Sequence, residues 1–569
     1  MPGRDRPRAI VVGAGPVGLT AAHELARRGV PVRLVDAAPG PAPTSRAVAV
    51  HPRTLETFAQ MGLVDDLLAR GRRNRAFTMY SGGRRLVRLE ADYATMPTSH
   101  PYTLIVPQTD TEAVLRRAVA RLGVGIEWGV RLTGFEQDED GVSVRLRRAD
   151  GAHESVRTSW LVGCDGGHST VRKQLGLELV GESSEAWMLC DAPVATDLPP
   201  DTIYWTHTGG HALMMVPYAR DGHWRLLDTA PEPERGTAHL AAKLSRGLGR
   251  EVRVGEPEWT SVFTFQQRMV RRMHDGRVFV AGDAAHVHSP ASGQGMNTGV
   301  QEAYNLAWKL AQVDRGHAGR GLLDTYSEER VPIGEALLGS TRTATFLVQL
   351  KNLFASAALP LVLGLVRSVP ALRRAVQRKV LGGMSGLRIA YPGSRLTTAA
   401  QRRHLTGTGN AAASATVPAP GPAPGRRITE AHVHHPSSPG CRALHEELRD
   451  PRWTLLHVAG GPGTDDGTAA ASLDAALRYG AWLSVRTVTG TRTDGPAPLA
   501  DPDARLRSAL GLAPGSWLLA RPDGYVAARG EDLSRAALDR ALAPLGLDAR
   551  HAPSVTAQAL DVRGGPAES

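Results

Sequence analysis

The chain has 569 residues, of which 42% are hydrophobic and 22% are charged, proportions typical of globular proteins. It is too long for one compact core and suits two to four domains. Lys and Arg number 67 against 56 Asp and Glu, a formal net charge of +11. The basic residues form no long run and do not alternate with aromatic residues, which argues against a nucleic-acid-binding protein.

The cysteines and the apolar runs indicate the cellular compartment and whether the chain enters a membrane. Cys164, Cys190 and Cys441 lie far apart without a Cys-x-x-Cys spacing, which argues against a disulfide framework and against zinc. The apolar run at 353–366 is interrupted by Pro360 and is shorter than the roughly 20 residues that cross a bilayer. We therefore predict a cytoplasmic protein without stable membrane insertion, in which this run is a packed helix.

A glycine-rich signature follows the β-branched run at 8–12. Gly13 can form a tight turn, Gly15 lets the backbone approach a pyrophosphate, and Gly18 allows close packing of helix on strand. The helix predicted to follow begins at Pro16, and its N-terminus attracts phosphate. These residues predict a dinucleotide-binding βαβ unit.

The strand predicted at 32–36 ends in Asp36. A carboxylate at this place accepts hydrogen bonds from ribose hydroxyls and disfavours a 2′-phosphate. The first signature alone therefore leaves NAD and FAD open.

Two later turns repeat the strand-to-helix pattern. The predicted strand at 159–164 runs into Asp165, with Ser169 as a plausible helix cap. The predicted strand at 278–281 runs into Gly282 and Asp283, where an acid can bond a polyol hydroxyl.

The helix expected at 295–310 begins at Gly295, Met296 and Asn297, where few side-chain atoms separate the backbone from a ligand. Its N-terminus can stabilise the negative charge that a reduced flavin develops at N1 and C2=O. The third signature therefore favours FAD over NAD.

The three signatures in this order resemble those of the class A FAD-dependent aromatic hydroxylases, which have the para-hydroxybenzoate hydroxylase fold. The resemblance covers roughly the first 400 residues. It implies an α/β fold with a Rossmann-like FAD-binding domain at 1–180 and 270–340. An antiparallel β-sheet substrate-binding domain is expected at 181–269, with 77–106 contributing to its sheet.

The same resemblance implies a set of cofactor contacts. It places Asp36 at the adenosine ribose, Asp283 at the ribityl chain and Pro290 beside the flavin ring, with Met296 and Asn297 at its pyrimidine edge. The complete set is Gly13, Gly15, Pro16, Gly18, Asp36, Arg46, Gln108, Asp165, Gly282, Asp283, Pro290, Gly295, Met296 and Asn297.

The implied reaction is a monooxygenation. NADPH or NADH, bound transiently with help from Asp165, reduces FAD, and O2 then adds at flavin C4a. The hydroperoxide transfers one oxygen atom to an electron-rich aromatic small molecule, which is expected to be a polycyclic compound of the polyketide type. No side chain need act as a nucleophile, so no catalytic residue is assigned. Baeyer–Villiger oxygen insertion on the same fold and a non-catalytic FAD-binding protein remain open at this point.

Other candidate residues are weaker. His286 is expected to be packed or hydrogen-bonded rather than catalytic, and no histidine pair has the carboxylate or cysteine partners of a metal site. Aromatic and methionine side chains of the substrate sheet either line a pocket or form its core. They are Trp205, Met214, Met215, Trp224, Phe263 and Phe265.

A helical segment at 341–400 and a Pro/Ala-rich linker at 401–425 are expected to precede a small α/β domain at 426–569. On Gly425-Arg-Arg427 and Arg521-Pro-Asp-Gly-Tyr-Val526 this part resembles the thioredoxin-like C-terminal domain of hydroxylases that modify aromatic polyketides, enzymes of antibiotic biosynthesis. Its only cysteine is Cys441, so exchange chemistry is disfavoured. A structural role, including a homodimer contact, is predicted.

Overall fold

The computed structural model describes residues 7–90, 97–208, 211–287, 293–349, 368–398, 421–459, 467–490 and 498–546, with residues 364 and 366. Pro290, nearly all of the apolar run at 353–366, and 401–420 of the expected linker lie outside these residues. Within the described ranges, no helix has both the length and the apolar character to cross a membrane.

Residues up to 179 form a βαβ unit and the elements around it. These are β1 (Ala9–Val12), α1 (Pro16–Arg27), β2 (Val32–Asp36), β3 (Ala49–Val50), α2 (Pro52–Gln60), α3 (Val64–Leu68), β4 (Arg72–Asn74), β5 (Ala76–Ser81), β6 (Arg84–Glu90), β7 (Thr103–Ile105), α4 (Gln108–Arg121), β8 (Ile126–Trp128), β9 (Arg131–Gln137), β10 (Val142–Arg147), β11 (His153–Thr158), β12 (Trp160–Gly163) and α5 (Thr170–Gln174).

The middle of the chain is mostly strand and then becomes helical. It contains β13 (Val180–Ala195), β14 (Ile203–Thr208), β15 (His211–Pro217), β16 (His223–Asp228), α6 (Gly236–Leu248), β17 (Arg253–Val254), β18 (Trp259–Met269), β19 (His274–Asp275), β20 (Val278–Val280), β21 (His286–Val287), α7 (Gly295–Asp314), α8 (Asp324–Gln349) and α9 (Pro370–Met384).

The C-terminal part alternates short helices and strands. They are α10 (Pro439–Glu447), β22 (Trp453–Val458), α11 (Gly467–Tyr479), β23 (Leu483–Thr489), β24 (Leu499–Ala500), α12 (Arg505–Leu510), β25 (Trp517–Ala520), β26 (Val526–Gly530) and α13 (Arg535–Leu542).

The first sheet has the strand order β19-β20-β12-β1-β2-β8, and all its pairs are parallel except β19–β20. Its central strands are continuously apolar because both faces are covered, as in other parallel sheets. Parallel strands end at the same edge of a sheet. The turns after β1, β2, β12 and β20, which carry all three glycine-anchored signatures, therefore meet there.

The second sheet has the order β21-β18-β13-β16-β15-β14-β5-β6, with β17 also paired to β13. All its pairs are antiparallel except β14–β5. Of the region at 77–106, β5 and β6 join this sheet, whereas β7 pairs with β3 and β4 in a separate three-stranded sheet. One face packs on α6 through a cluster that includes Met215 and Trp224. The opposite face packs against Ala49 and Ile105 of the first domain.

The C-terminal sheet has the order β24-β23-β22-β25-β26, with β22, β23 and β24 parallel and β25–β26 an antiparallel hairpin. The small α/β domain predicted for this part of the chain is present, with helices alternating with the strands. The predicted α/β fold class is confirmed.

Candidate active site

The glycine-rich turn after β1 forms a cradle open on one side. Gly13 has φ +103°, and a Cβ atom there would lie 2.3 Å from the carbonyl oxygen of Cys164. A Cβ atom on Gly18 would lie 1.8 Å from the carbonyl oxygen of Gly13. A Cβ atom on Gly15 would meet nothing within 4 Å. Helix α1 begins at Pro16 without a side-chain cap among the described residues, so its first amides face this open side and suit a pyrophosphate.

Asp36, at the end of β2, lies against the same turn. Its two carboxylate oxygens accept hydrogen bonds from the backbone amides of Ala14, at 2.6 Å, and Ala38, at 2.7 Å. The carboxylate is only half-buried, which leaves room for a ribose hydroxyl beside these two donors. The assignment of Asp36 to the ribose stays a prediction.

The turn after β20 is held by a buried carboxylate that the sequence did not single out. Glu302 of α7 accepts a hydrogen bond from the Gly282 amide at 2.9 Å, and its oxygens lie 2.8 and 2.9 Å from Nε2 of His286. Glu302 and His286 are both fully buried. His286 is therefore the hydrogen-bonded structural residue that was expected. The only sequence signal for its partner was a glutamate about two turns into a helix that is otherwise apolar on this face.

The His286–Glu302 pair predicts a pH dependence of stability. Burial alone lowers the pKa of His286, but the Glu302 carboxylate more than offsets this, and Asp283 adds to the effect, so the pKa is raised above its ordinary value. The stabilisation is then fully present below about pH 6.5 and is lost as pH rises through the raised pKa of the folded state.

This dependence is measured as the free energy of unfolding in urea between about pH 6 and 9, for the wild type and His286→Gln. The difference between the two proteins should shrink as pH rises. A constant difference across the range would contradict the assignment.

Asp283 follows Gly282 in this anchored turn. The residue is exposed to solvent yet surrounded closely enough by protein that burial raises the pKa of its carboxyl, against the opposing charges of His286 and Arg46. An accessible acid deep in the protein, next to an exposed arginine, is available to a ligand.

Asp283→Ala should weaken FAD binding by roughly tenfold to a hundredfold, the scale of a lost hydrogen bond to a charged group. The fold should be unchanged because the removed group is exposed to solvent. The flavin content of the purified protein and the Kd of FAD measure the effect, with Asp283→Asn as the control that keeps an acceptor. Full flavin content in Asp283→Ala would refute the role of this side chain.

Arg46 and Gln108 lie on two segments that are hydrogen-bonded to each other. The side chain of Gln108 accepts from the Ala47 amide at 3.1 Å and donates to Glu112 at 2.9 Å. The backbone amide of Gln108 donates to Ser45 Oγ at 2.7 Å. Gln108 thereby fixes the segment that presents the exposed Arg46. Contact of either residue with FAD stays a prediction.

Asp165 is the acceptor at the start of α5. Its carboxylate accepts from the hydroxyl of Ser169, at 2.5 Å, and from the amide of Thr170, at 2.7 Å. Ser169 in turn caps the helix by accepting from Arg172 N, as the sequence predicted. The half-buried Asp165 therefore shapes the turn itself, and its contact with a cofactor stays a prediction.

The first turn of α7 is fixed by Asn297. Its side-chain amide donates to the carbonyl oxygens of Ala49 and Gly293, at 2.8 and 2.7 Å, and accepts from the His51 amide at 2.8 Å. These bonds use the side chain within the protein, so the groups left to face a flavin here are the backbone of Gly295 to Asn297 and the half-buried Met296.

A buried ion pair that the sequence analysis missed joins the substrate sheet to the Arg46 segment. Arg225 on β16 makes two bonds of 2.7 Å to Asp191 on β13. Its remaining donors bond the carbonyl oxygens of Ser45 and Arg46, both at 2.6 Å. The detectable signal was one charge within an apolar stretch of each strand, Asp191 within 188–194 and Arg225 within 224–227.

The face of the substrate sheet that packs toward the first domain is apolar and aromatic. Its buried members include Trp187, Trp205 and Met214, and its half-buried members include Phe77 and Phe263. Met215 and Trp224 lie on the opposite face, so two of the candidate pocket residues are core of that side. The side chain of Phe265 lies outside the described residues.

The residues present fit FAD. The open side at Gly15 can admit a pyrophosphate, acids stand at the ends of β2 and β20, and α7 starts without a side-chain cap among the described residues. Fold and site together define a flavoprotein in which an apolar face of the second sheet packs toward the FAD-binding domain.

Comparison with known families agrees with this description. The FAD binding domain model matches residues 7–341, and the model for the C-terminal domain of aromatic-ring hydroxylases matches residues 421–545. The chain belongs to the FAD-dependent aromatic-ring hydroxylases, and it is a monooxygenase that uses FAD, O2 and a reduced nicotinamide cofactor.

Individual relatives span nearly the whole chain. The sequence is 50% identical over 93% of its length to 6-methylpretetramide 4-monooxygenase of Streptomyces rimosus, covering 92% of that protein. The flavin-dependent monooxygenase PieE, solved with FAD and substrate, is 25% identical with a TM-score of 0.77, over 96% of this chain and 100% of the other. The anhydrotetracycline hydroxylase OxyS of Streptomyces rimosus is 29% identical with a TM-score of 0.69, over 95% and 99%.

Proposed function

We propose that this protein hydroxylates one ring of a polycyclic aromatic polyketide of the pretetramide type. The observation that carries the proposal is the broad apolar and aromatic face of the substrate sheet that packs toward the FAD-binding domain. Such a face suits a flat fused-ring molecule and offers it few polar partners. The 50% identity to 6-methylpretetramide 4-monooxygenase, which extends over both domains, supports the same substrate class.

In this function the protein binds FAD, orients the substrate and excludes water from the reacting atoms. Bound FAD supplies the activation of O2 and the transfer of one oxygen atom. The amides at Gly15 and the start of α1 hold the pyrophosphate, Asp36 the ribose and Asp283 the ribityl chain. The N-terminus of α7 stabilises negative charge on the flavin. The apolar sheet face holds the substrate ring in place and keeps water from the reacting atoms.

The test is incubation of the purified yellow protein with NADPH or NADH, air and a panel of linear tetracyclic phenols, with mass and NMR analysis of products. Ring hydroxylation predicts a gain of one oxygen with all ring carbons retained as an intact carbocycle. A lactone carbonyl would show Baeyer–Villiger insertion instead. Nicotinamide oxidation that yields only hydrogen peroxide with every phenol of the panel would contradict the proposed substrate class.

A further inference from the structure

The hairpin turn of the C-terminal domain is inserted against the helices of the FAD-binding domain. Arg521, between β25 and β26, makes a two-point contact with Glu329 of α8, at 2.6 and 2.9 Å. It also bonds both oxygens of Asp523 in its own turn, at 2.9 and 2.6 Å. All three side chains are buried. The domain is therefore joined to the first domain by a buried, hydrogen-bonded ionic contact.

Helix α7, whose N-terminus is assigned to the flavin, contributes further side chains to this ionic contact. Asn305 donates to Glu329, at 2.9 Å, and to Asp523, at 3.0 Å. Lys309 donates to Glu329 at 2.8 Å. The cluster balances two positive charges, Arg521 and Lys309, against the two carboxylates. Because a buried charge needs its partners, the C-terminal turn and α7 are held in one buried ionic cluster.

A second path leads from the same turn to the loop that carries Asp283. The ring of Tyr525 lies 4.5 Å, centroid to centroid, from that of Tyr391. The hydroxyl of Tyr391 accepts from Arg330 at 3.0 Å. Arg330 lies 3.9 Å from Glu302, the carboxylate that holds the Gly282 amide.

Arg330 also donates to the carbonyl oxygen of Thr298, in the first turn of α7, at 3.4 Å. Every group on this path is fully or nearly fully buried. The turn at 521–525 is thus connected, through Arg330 of α8, to the Gly282–Asp283 turn and to the first turn of α7.

We propose that the 521–525 turn of the C-terminal domain is a positioning element for the flavin site, setting the placement of the Gly282–Asp283 loop and of the first turn of α7. The domain then acts on FAD affinity through Glu329 and Arg330. No residue of the turn is a catalytic residue. This role is independent of which aromatic substrate the enzyme takes.

The experiment compares Arg521→Lys with Arg486→Lys in the full-length protein. Lysine keeps the charge but lacks the planar fork that bonds Glu329 and Asp523 together. Arg486 of β23 makes an ion pair of 2.6 Å with Glu447 inside the same domain, away from the flavin helices, and is the matched control. The measurements are the Kd of FAD and, in the FAD-free protein, hydrogen exchange of the peptide at 278–287, which reports opening at Gly282.

Arg521→Lys should raise the Kd of FAD about tenfold, within the range of coupled sites, and speed exchange at 278–287, whereas Arg486→Lys should change neither. Tyr391→Phe, which removes only the hydroxyl bonded by Arg330, should shift both measurements in the same direction by a smaller factor. If Arg521→Lys does not fold, Tyr391→Phe tests the positioning role in its place. Wild-type affinity and exchange in the folded variants, or equal effects of Arg486→Lys, would overturn the proposal.

Discussion

Replacing Gly15 with alanine should leave the fold intact while removing most of the affinity for FAD. The added methyl group meets no protein atom within 4 Å, so the melting temperature should stay close to that of the wild type. The same methyl group occupies the side from which a pyrophosphate approaches the backbone. We expect the Kd of FAD to rise about a hundredfold, or about 2.8 kcal/mol.

Two further variants serve as controls for Gly15→Ala. Gly125→Ala also adds a methyl group that meets nothing within 4 Å, but away from the turn, and should bind FAD normally. In Gly18→Ala the methyl group collides with the backbone of Gly13, and the protein should lose more than about 4 kcal/mol of stability. Wild-type FAD affinity in Gly15→Ala would show that the cofactor does not lie over this turn.

Replacing Arg225 with methionine should destabilise the protein by about 3–5 kcal/mol, the cost of removing one partner of a buried ion pair. The change leaves Asp191 with the 3.0 Å hydrogen bond from Tyr218 as its remaining side-chain partner in the described structure. It also leaves the carbonyl oxygens of Ser45 and Arg46 without the guanidinium. Urea unfolding of the holoenzyme measures the loss.

The exposed Arg220, which pairs with Glu258 near the same strands, is the control. Arg220→Met should cost less than about 1 kcal/mol because solvent screens an exposed pair. Arg225→Met combined with Asp191→Asn should be more stable than the sum of the single losses, since no unpaired charge is then buried. A strictly additive double variant would mean that the two groups do not act as a pair.

The parts of the fold that the sequence predicts best are those encoded locally. The turn after β1, the strand ending in Asp36 and the helix starting at Gly295 follow from glycine positions, apolar periodicity and end residues within short windows. The family resemblance then supplied the order of the domains. The structure confirms the α/β class, and the comparisons with known families confirm the cofactor and the monooxygenase activity.

The parts that were not predicted depend on contacts between distant segments. The Arg225–Asp191 pair, the Glu302 anchor and the Arg521 contact join residues that lie 34, 20 and 192 positions from their partners. No periodicity within a window encodes such a pairing. Asn297 shows the converse case, because its motif position suggested a flavin contact while its side-chain amide is bonded to three backbone groups. The individual FAD contacts, the domain boundaries and a homodimer contact stay predictions.

As a member of this family, the protein transfers one atom of O2 to an aromatic ring. The most direct test is turnover under 18O2 with reduced nicotinamide and a tetracyclic phenol that the enzyme converts, followed by mass analysis of the product. We expect one 18O atom in each product molecule, as a ring hydroxyl. A product whose new oxygen comes from water, with 18O absent, would contradict it.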